Sequence, residues 1–166
     1  QVLARLALRL IEQGIGAADL AAELDVRKQD IRVFALLDTL EYLRRGGRIS
    51  AVSAAAGTLL NVKPIVAVQA GAIVAVGKAR GAKAGRAQLV HLVEGEGGID
   101  WAMPHVAAYS GIDDSAMRDF LHGSAGLFGV DPADEAGLAS IPTSGIGATI
   151  GTHVGPGAIA LAFFTA

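Results

Sequence analysis

The stretch Asp38-Thr39-Leu40-Glu41-Tyr42-Leu43-Arg44-Arg45-Gly46-Gly47-Arg48-Ile49-Ser50 decides the reading of this chain, because it packs a helix start, a helix stop and three arginines into one short segment. Asp38 is placed to cap a helix while Glu41 reaches back to the cap amide, the reciprocal bonding of a capping box. Gly46 supplies a left-handed residue that ends the helix, and Gly47 lets the backbone turn again at once. Arg48 then follows a double-glycine bend, where its guanidinium can be aimed at an anion. An apolar helix is expected from Ala51 to Leu60, ending in Asn61-Val62-Lys63-Pro64. Taken by itself, the segment reads first as an ordinary capped helix with solvated arginines, and anion binding needs support from elsewhere in the chain.

Size and composition narrow the classes. The 166 residues fit one domain, or one domain and a piece of another. Hydrophobic residues make up 52% and charged residues 18%, against a usual charged share of ~25%. With 22 glycines and 5% aromatics, the interior is built from small and branched aliphatic side chains. Such a core either packs densely or leaves a narrow apolar channel. A net charge of -2 argues against a general nucleic-acid binder, which carries a basic stripe. Without cysteine there is neither a disulfide nor a thiol-ligated metal, which fits a reducing cytoplasm. No apolar run approaches the ~20 residues of a membrane span, so no stable membrane insertion is expected. The chain opens on Gln1-Val2-Leu3, inside an amphipathic pattern and without an initiator Met, and is expected to be a portion of a longer protein that lacks its N-terminal part.

Periodicity gives the order of elements. Val2, Leu3, Leu6, Leu10 and Ile11 recur at helical spacing up to Gly14, and a second helix is expected over Ala17 to Gln29. Ile31 to Leu37 reads as a buried strand. Pro64 to Gln69 and Ile73 to Ala79 read as a hairpin turning at Ala70-Gly71-Ala72, followed by a helix over Gly81 to Glu94. After the flexible Gly95-Glu96-Gly97-Gly98, a strand is expected over Ile99 to Tyr109, with Pro104 at an edge or bulge. A helix then starts at Asp113-Asp114-Ser115 and runs towards Phe128. Gly137 to Pro142 and Ala158 to Phe164 are expected as the last strands, separated by a glycine-rich loop from Thr143 to Gly157. The pattern is α+β, a mainly antiparallel sheet flanked by helices.

Most chemical motifs fail. Gly145-Ile146-Gly147-Ala148-Thr149-Ile150-Gly151 misses the dinucleotide spacing by one residue and is not expected to open a helix. Neither a nucleophile elbow nor a P-loop occurs. The four histidines are scattered without metal-binding spacing, and Ser124 reads as a helix-end or turn residue. No catalytic residue and no metal ligand is assigned.

Four ordered segments resemble the DegV family of bacterial fatty-acid-binding proteins. They are Leu40-Glu41-Tyr42-Leu43-Arg44-Arg45-Gly46-Gly47-Arg48-Ile49, Gly57-Thr58-Leu59-Leu60-Asn61-Val62-Lys63-Pro64-Ile65, Gly71 with Lys78-Ala79-Arg80-Gly81, and Ile150-Gly151-Thr152-His153-Val154-Gly155-Pro156-Gly157-Ala158. The resemblance implies the C-terminal domain of a two-domain fold, with residues 31–166 forming the lipid-binding domain and the helices of 1–30 the possible edge of a missing N-terminal domain. It also implies a cytoplasmic protein of phospholipid metabolism that is not itself an enzyme. Such a protein binds a long-chain fatty acid in an apolar tunnel and presents the carboxylate to a separate fatty acid kinase. By the same resemblance Arg48, His153, Thr152 and Gly155 lie at the head-group end, Leu59, Leu60 and Ile65 form a wall for the acyl tail, and Arg80 faces the kinase. No cofactor is implied beyond the bound fatty acid.

The chemistry agrees with those roles. A carboxylate at the mouth of an apolar cavity must be neutralised, since a buried unpaired charge costs several kcal/mol. Arginine offers a permanent bidentate fork, and histidine one further hydrogen bond. His153 also reads as a locally satisfied loop residue and Arg80 as a solvated turn residue. Two other functions stay open on the residues. One is an enzyme acting on a small carboxylate or phosphate substrate through Arg48 and His153; the other is an interaction domain with no ligand of its own.

Overall fold

The computed structural model describes residues 1–47 and 61–166. The expected helix from Ala51 to Leu60, together with Arg48, Leu59 and Leu60, lies outside the described residues.

Short apolar strands assemble into one six-stranded sheet of order β3-β2-β1-β6-β4-β5 among the described residues. Strand β1 (Ile31–Leu36) sits inside it, antiparallel to β2 (Val62–Gln69) and to β6 (Ile159–Phe164). Strand β3 (Ala72–Arg80) forms a hairpin with β2. On the other side β4 (Val106–Tyr109) pairs antiparallel with β6, and the short β5 (Thr143–Gly145) runs parallel to β4. The architecture is the expected α+β with a mostly antiparallel sheet.

Period-two alternation gives the sheet two unlike faces. Phe34, Leu36, Ile65, Ala67, Ala107, Leu161 and Phe163 point to one side, where they form the main core with Leu89 and Val93 of α4 (Gly81–Gly95) and with Met117, Phe120 and Leu121 of α5 (Ser115–Gly123). Ala35, Val66 and Ala158 point to the other side, joined there by Leu37 and by Leu43 of α3 (Glu41–Arg45), with Val154 of α7 (Ala148–Val154) against them. At the far end of that second face, Val2 and Leu6 of α1 (Val2–Glu12) cover Val106 and Phe164, and Leu24 of α2 (Ala17–Arg27) packs alongside. The second face is therefore roofed at its two ends by different helices.

Several local expectations are corrected. Asp38 and Glu41 do not form a capping box: α3 starts with Glu41, its N-cap is Leu40, and the Glu41 amide donates instead to the Thr39 hydroxyl at 3.2 Å. Glu41 pairs forward with Arg44 and Arg45, and Asp38 is taken by Lys63 at 2.7 Å. Gly46 keeps ordinary helical angles (φ -75°), and Gly47 takes the left-handed turn (φ +69°). The expected strand from Gly137 to Pro142 is instead α6 (Glu135–Ser140), because Asp134 accepts from the Gly137 amide at 2.9 Å and caps a helix. The expected loop from Thr143 to Gly157 holds both β5 and α7, so the glycine-rich run does open a helix at Ala148. Between Ile99 and Tyr109 only Val106–Tyr109 is strand; Asp100 accepts from the Ala102 amide and turns the chain away. The helix from Ser115 stops at Gly123, and a 3-10 turn (Ala125–Phe128) follows.

Candidate functional site

The glycine-rich C-terminal loop of the sequence becomes a helix docked on another. His153 is at the last turn of α7 and half-buried; its ring lies directly over Gly46, at the end of α3. A Cβ at position 46 would overlap Nδ1 and stand 2.7 Å from Cε1. The contact is reciprocated, because Tyr42 of α3 lies over Gly155, just past α7, and a Cβ there would stand 2.8 Å from its ring Cγ. Gly155 has a positive φ (+75°) and is buried, so glycine is required on both grounds.

Packing sets the surroundings of the imidazole. Nδ1 of His153 is buried and has no hydrogen-bond partner among the described residues. A proton on Nδ1 would be buried with no acceptor in reach among those residues, which leaves Nε2 as the nitrogen to bond a ligand. Thr152 is exposed, and its hydroxyl donates back to the Thr149 carbonyl at 3.0 Å.

Beside this pair the chain is clamped electrostatically. Lys63 at the start of β2 bonds Asp38 just after β1, and the Asp38 carboxyl lies 3.1–3.3 Å from where a Cβ on Gly157 would stand. The Gly157 amide donates to the Ser110 carbonyl, so the turn after α7 is tied to the end of β4. Glu41 holds Arg44 through two contacts of 2.7 and 3.0 Å and Arg45 through one of 2.9 Å. Those bonds, Arg44 first, hold the Glu41 carboxyl down at about 2 against an ordinary 4.5.

The second sheet face runs away from His153 on small side chains. Val33, Ala75, Ala108, Ala160 and Ala162 are half-exposed there, although three of their strands are internal to the sheet. Val68, also on this face by register, is 46% exposed. The β1–β2 ladder stops at Phe34 and Ala67, and beyond it opens a cavity of about 750 Å³ lined by Val33 and Val68 of this face, Phe34 and Ala67 of the other, and the charged Lys28, Arg32 and Glu96. That volume lies within the ~300–1,000 Å³ of small-molecule sites.

His153, Thr152 and Gly155 are chain neighbours at the end of α7; His153 and Gly155 pack on α3, and Thr152 is exposed. Arg80 is exposed at the end of β3, opposite Val62, at the same end of the sheet. Ile65 is fully buried on the other face, beneath α4, with its Cδ1 3.6 Å from where a Cβ on Gly77 would stand. The sequence reading missed Tyr42, Gly46 and the alanine floor. The floor had a signal, small residues at alternate positions of β6 and at the facing positions of its neighbours.

A family profile described as "Uncharacterised protein, DegV family" matches residues 1–166. The chain belongs to the DegV family. A DegV domain-containing protein of Clostridium perfringens is 30% identical over 154 residues, 92% of this chain and 51% of the relative. A DegV family protein from Thermus thermophilus, whose structure is described as fatty acid binding, superposes with a TM-score of 0.72 at 28% identity, covering 99% of this DegV chain and 56% of its own. The Fatty Acid Kinase (Fak) B3 protein of Streptococcus pneumoniae, loaded with linoleic acid, has the same fold (TM-score 0.78) at 15% identity, with 99% of this chain and 55% of that one covered. This DegV chain spans about half the length of the curated relatives it matches.

Proposed function

We propose that the protein binds a long-chain fatty acid, with its carboxylate near His153 and its alkyl chain along the alanine-floored second face of the sheet. The observation that carries this reading is the half-exposed row of Val33, Ala108, Ala160 and Ala162, which leads from the α1 end of the sheet to the helix pair that holds His153. Along β6 the open floor is Ala160 and Ala162, between Ala158 under α3 and Phe164 under α1. Covering that floor with an alkyl chain removes apolar area from water at about 25 cal/mol per Å². Nε2–H of His153 supplies one donor to the carboxylate, and Arg48 is assigned the charged contact by its place in the family motif. Ile65, in the opposite layer, backs the floor from beneath. The fatty-acid-binding relative from Thermus thermophilus supports the same ligand class.

The finer reading is that the bound carboxylate is offered to a separate fatty acid kinase, in a cytoplasmic protein that is not itself the catalyst. The fold shared with the Fak B3 protein supports it, and exposed Arg80 is the residue assigned to face the kinase. A further domain, such as the longer relatives have room for, would pack beside the helices of residues 1–30, where Leu8, Ile11 and Val26 are exposed.

Titration with stearic acid and shorter acids tests the site. Ala160→Phe should shorten the preferred chain while the protein stays folded, and His153→Ala should weaken binding of every chain length. Chain-length preference unmoved by Ala160→Phe would remove the alkyl chain from this face.

A further inference from the structure

The two contacts between α3 and α7 are a reciprocal lock: the ring of each helix lies on the other's glycine, His153 over Gly46 and Tyr42 over Gly155. Gly155 needs its glycine for its backbone as well, but Gly46 does not. With φ -75° and ψ -2° it adopts a conformation open to any residue, at the end of a helix where alanine is the better former. Backbone geometry therefore gives no reason for glycine at position 46. The obstruction is the imidazole, because nothing but a hydrogen fits between the Gly46 Cα and Nδ1 of His153.

We infer that Gly46 is a positioning residue for His153, seating the imidazole with Nδ1 against α3 and leaving Nε2–H as the ring's donor, with Tyr42 on Gly155 closing the seat from the other side. The consequence for the ligand rests on the fatty-acid reading above; the seating itself does not. A methyl group at position 46 drives the ring out of its seat, returns Nδ1 to water and removes the reason for a fixed tautomer. Tyr42 acts through its ring, which lies over Gly155.

Gly46→Ala is the test, read in two ways on the purified protein. In the ligand-free state, ¹⁵N shifts of the His153 ring should report the Nε2–H tautomer in the parent protein and a mixture in the variant. Affinity for stearic acid should fall about tenfold, the loss of roughly one charge-assisted hydrogen bond. In a His153→Ala background the same Gly46→Ala change should cost less than about twofold, because the added methyl then meets no ring. Tyr42→Ala should reproduce the ring signature and Tyr42→Phe should not, which covers the case in which Gly46→Ala folds poorly. An unmoved ring signature in both Gly46→Ala and Tyr42→Ala overturns the inference, and so does an equal affinity loss with and without His153. If the signature moves but no variant, nor the parent, binds stearic acid, the seating stands and the fatty-acid reading falls.

Discussion

Leu43→Ala probes how α3 is held. Leu43 is fully buried, and its helix has only five residues, far below the length at which a helix persists alone. Packing of this one side chain against Leu37, Val66 and Ala158 therefore anchors the segment that carries Tyr42 and Gly46. Leu→Ala at a closed core site costs about 2–5 kcal/mol. Leu40 and Val154 beside it are only half-buried and can relax into the space, which places this site in the lower part of that range, at about 2–3 kcal/mol. For a domain of this size the melting midpoint falls by about 4–12 °C. Calorimetry gives the midpoint, and amide exchange should show α3 opening ahead of the sheet. Leu89→Ala, equally buried under α4, is the control: it should cost at least as much while leaving the His153 ring signature unchanged. A loss below about 1 kcal/mol in Leu43→Ala, or α3 amides still exchanging with the core, would refute this account of how the helix is held.

The depressed Glu41 carboxyl contributes stability that is complete above its ordinary 4.5 and is lost as the pH falls towards about 2. NMR shifts of the Arg44 and Arg45 side chains should follow that titration, and Glu41→Gln should abolish it. Asp38→Lys and Lys63→Asp should each loosen the turn at Gly157, and the double reversal should restore it, measured as exchange of the Gly157 amide. Ala70 holds a left-handed conformation (φ +49°) in the two-residue β2–β3 turn, so Ala70→Asn should stabilise by about 0.5–1 kcal/mol in denaturant unfolding. Arg80→Ala should leave stearic acid affinity unchanged and slow only phosphorylation by a cognate kinase.

Much of the sheet was legible because its strands are short apolar runs bounded by turn residues. Ile31 to Leu37, the Ala70-Gly71 hairpin and Ala158 to Phe164 fall where those runs and turn chemistry placed them. The short helices were not legible, since tertiary contacts decide them. Gly137 to Pro142 reads as strand until Asp134 caps it, and α7 holds Thr149, Ile150, Gly151 and Thr152, none a strong helix former. For the candidate site, motif resemblance pointed to His153, Thr152 and Gly155, chain neighbours at the end of α7, and the fold sets His153 and Gly155 against α3. It could not show that Gly46 is glycine for the sake of His153, because that contact joins residues more than a hundred positions apart and leaves no local pattern. Asp38 misled for a related reason: as a helix cap it satisfied a local rule, but Lys63 competes for its carboxylate.

The most direct test of fatty-acid binding is native mass spectrometry of the protein as purified from a bacterial host, with extraction and identification of any bound small molecule. The account predicts an added mass equal to one long-chain fatty acid, reduced in occupancy by His153→Ala and shifted to shorter chains by Ala160→Phe. An unliganded mass that stays unliganded after incubation with stearic acid would contradict it.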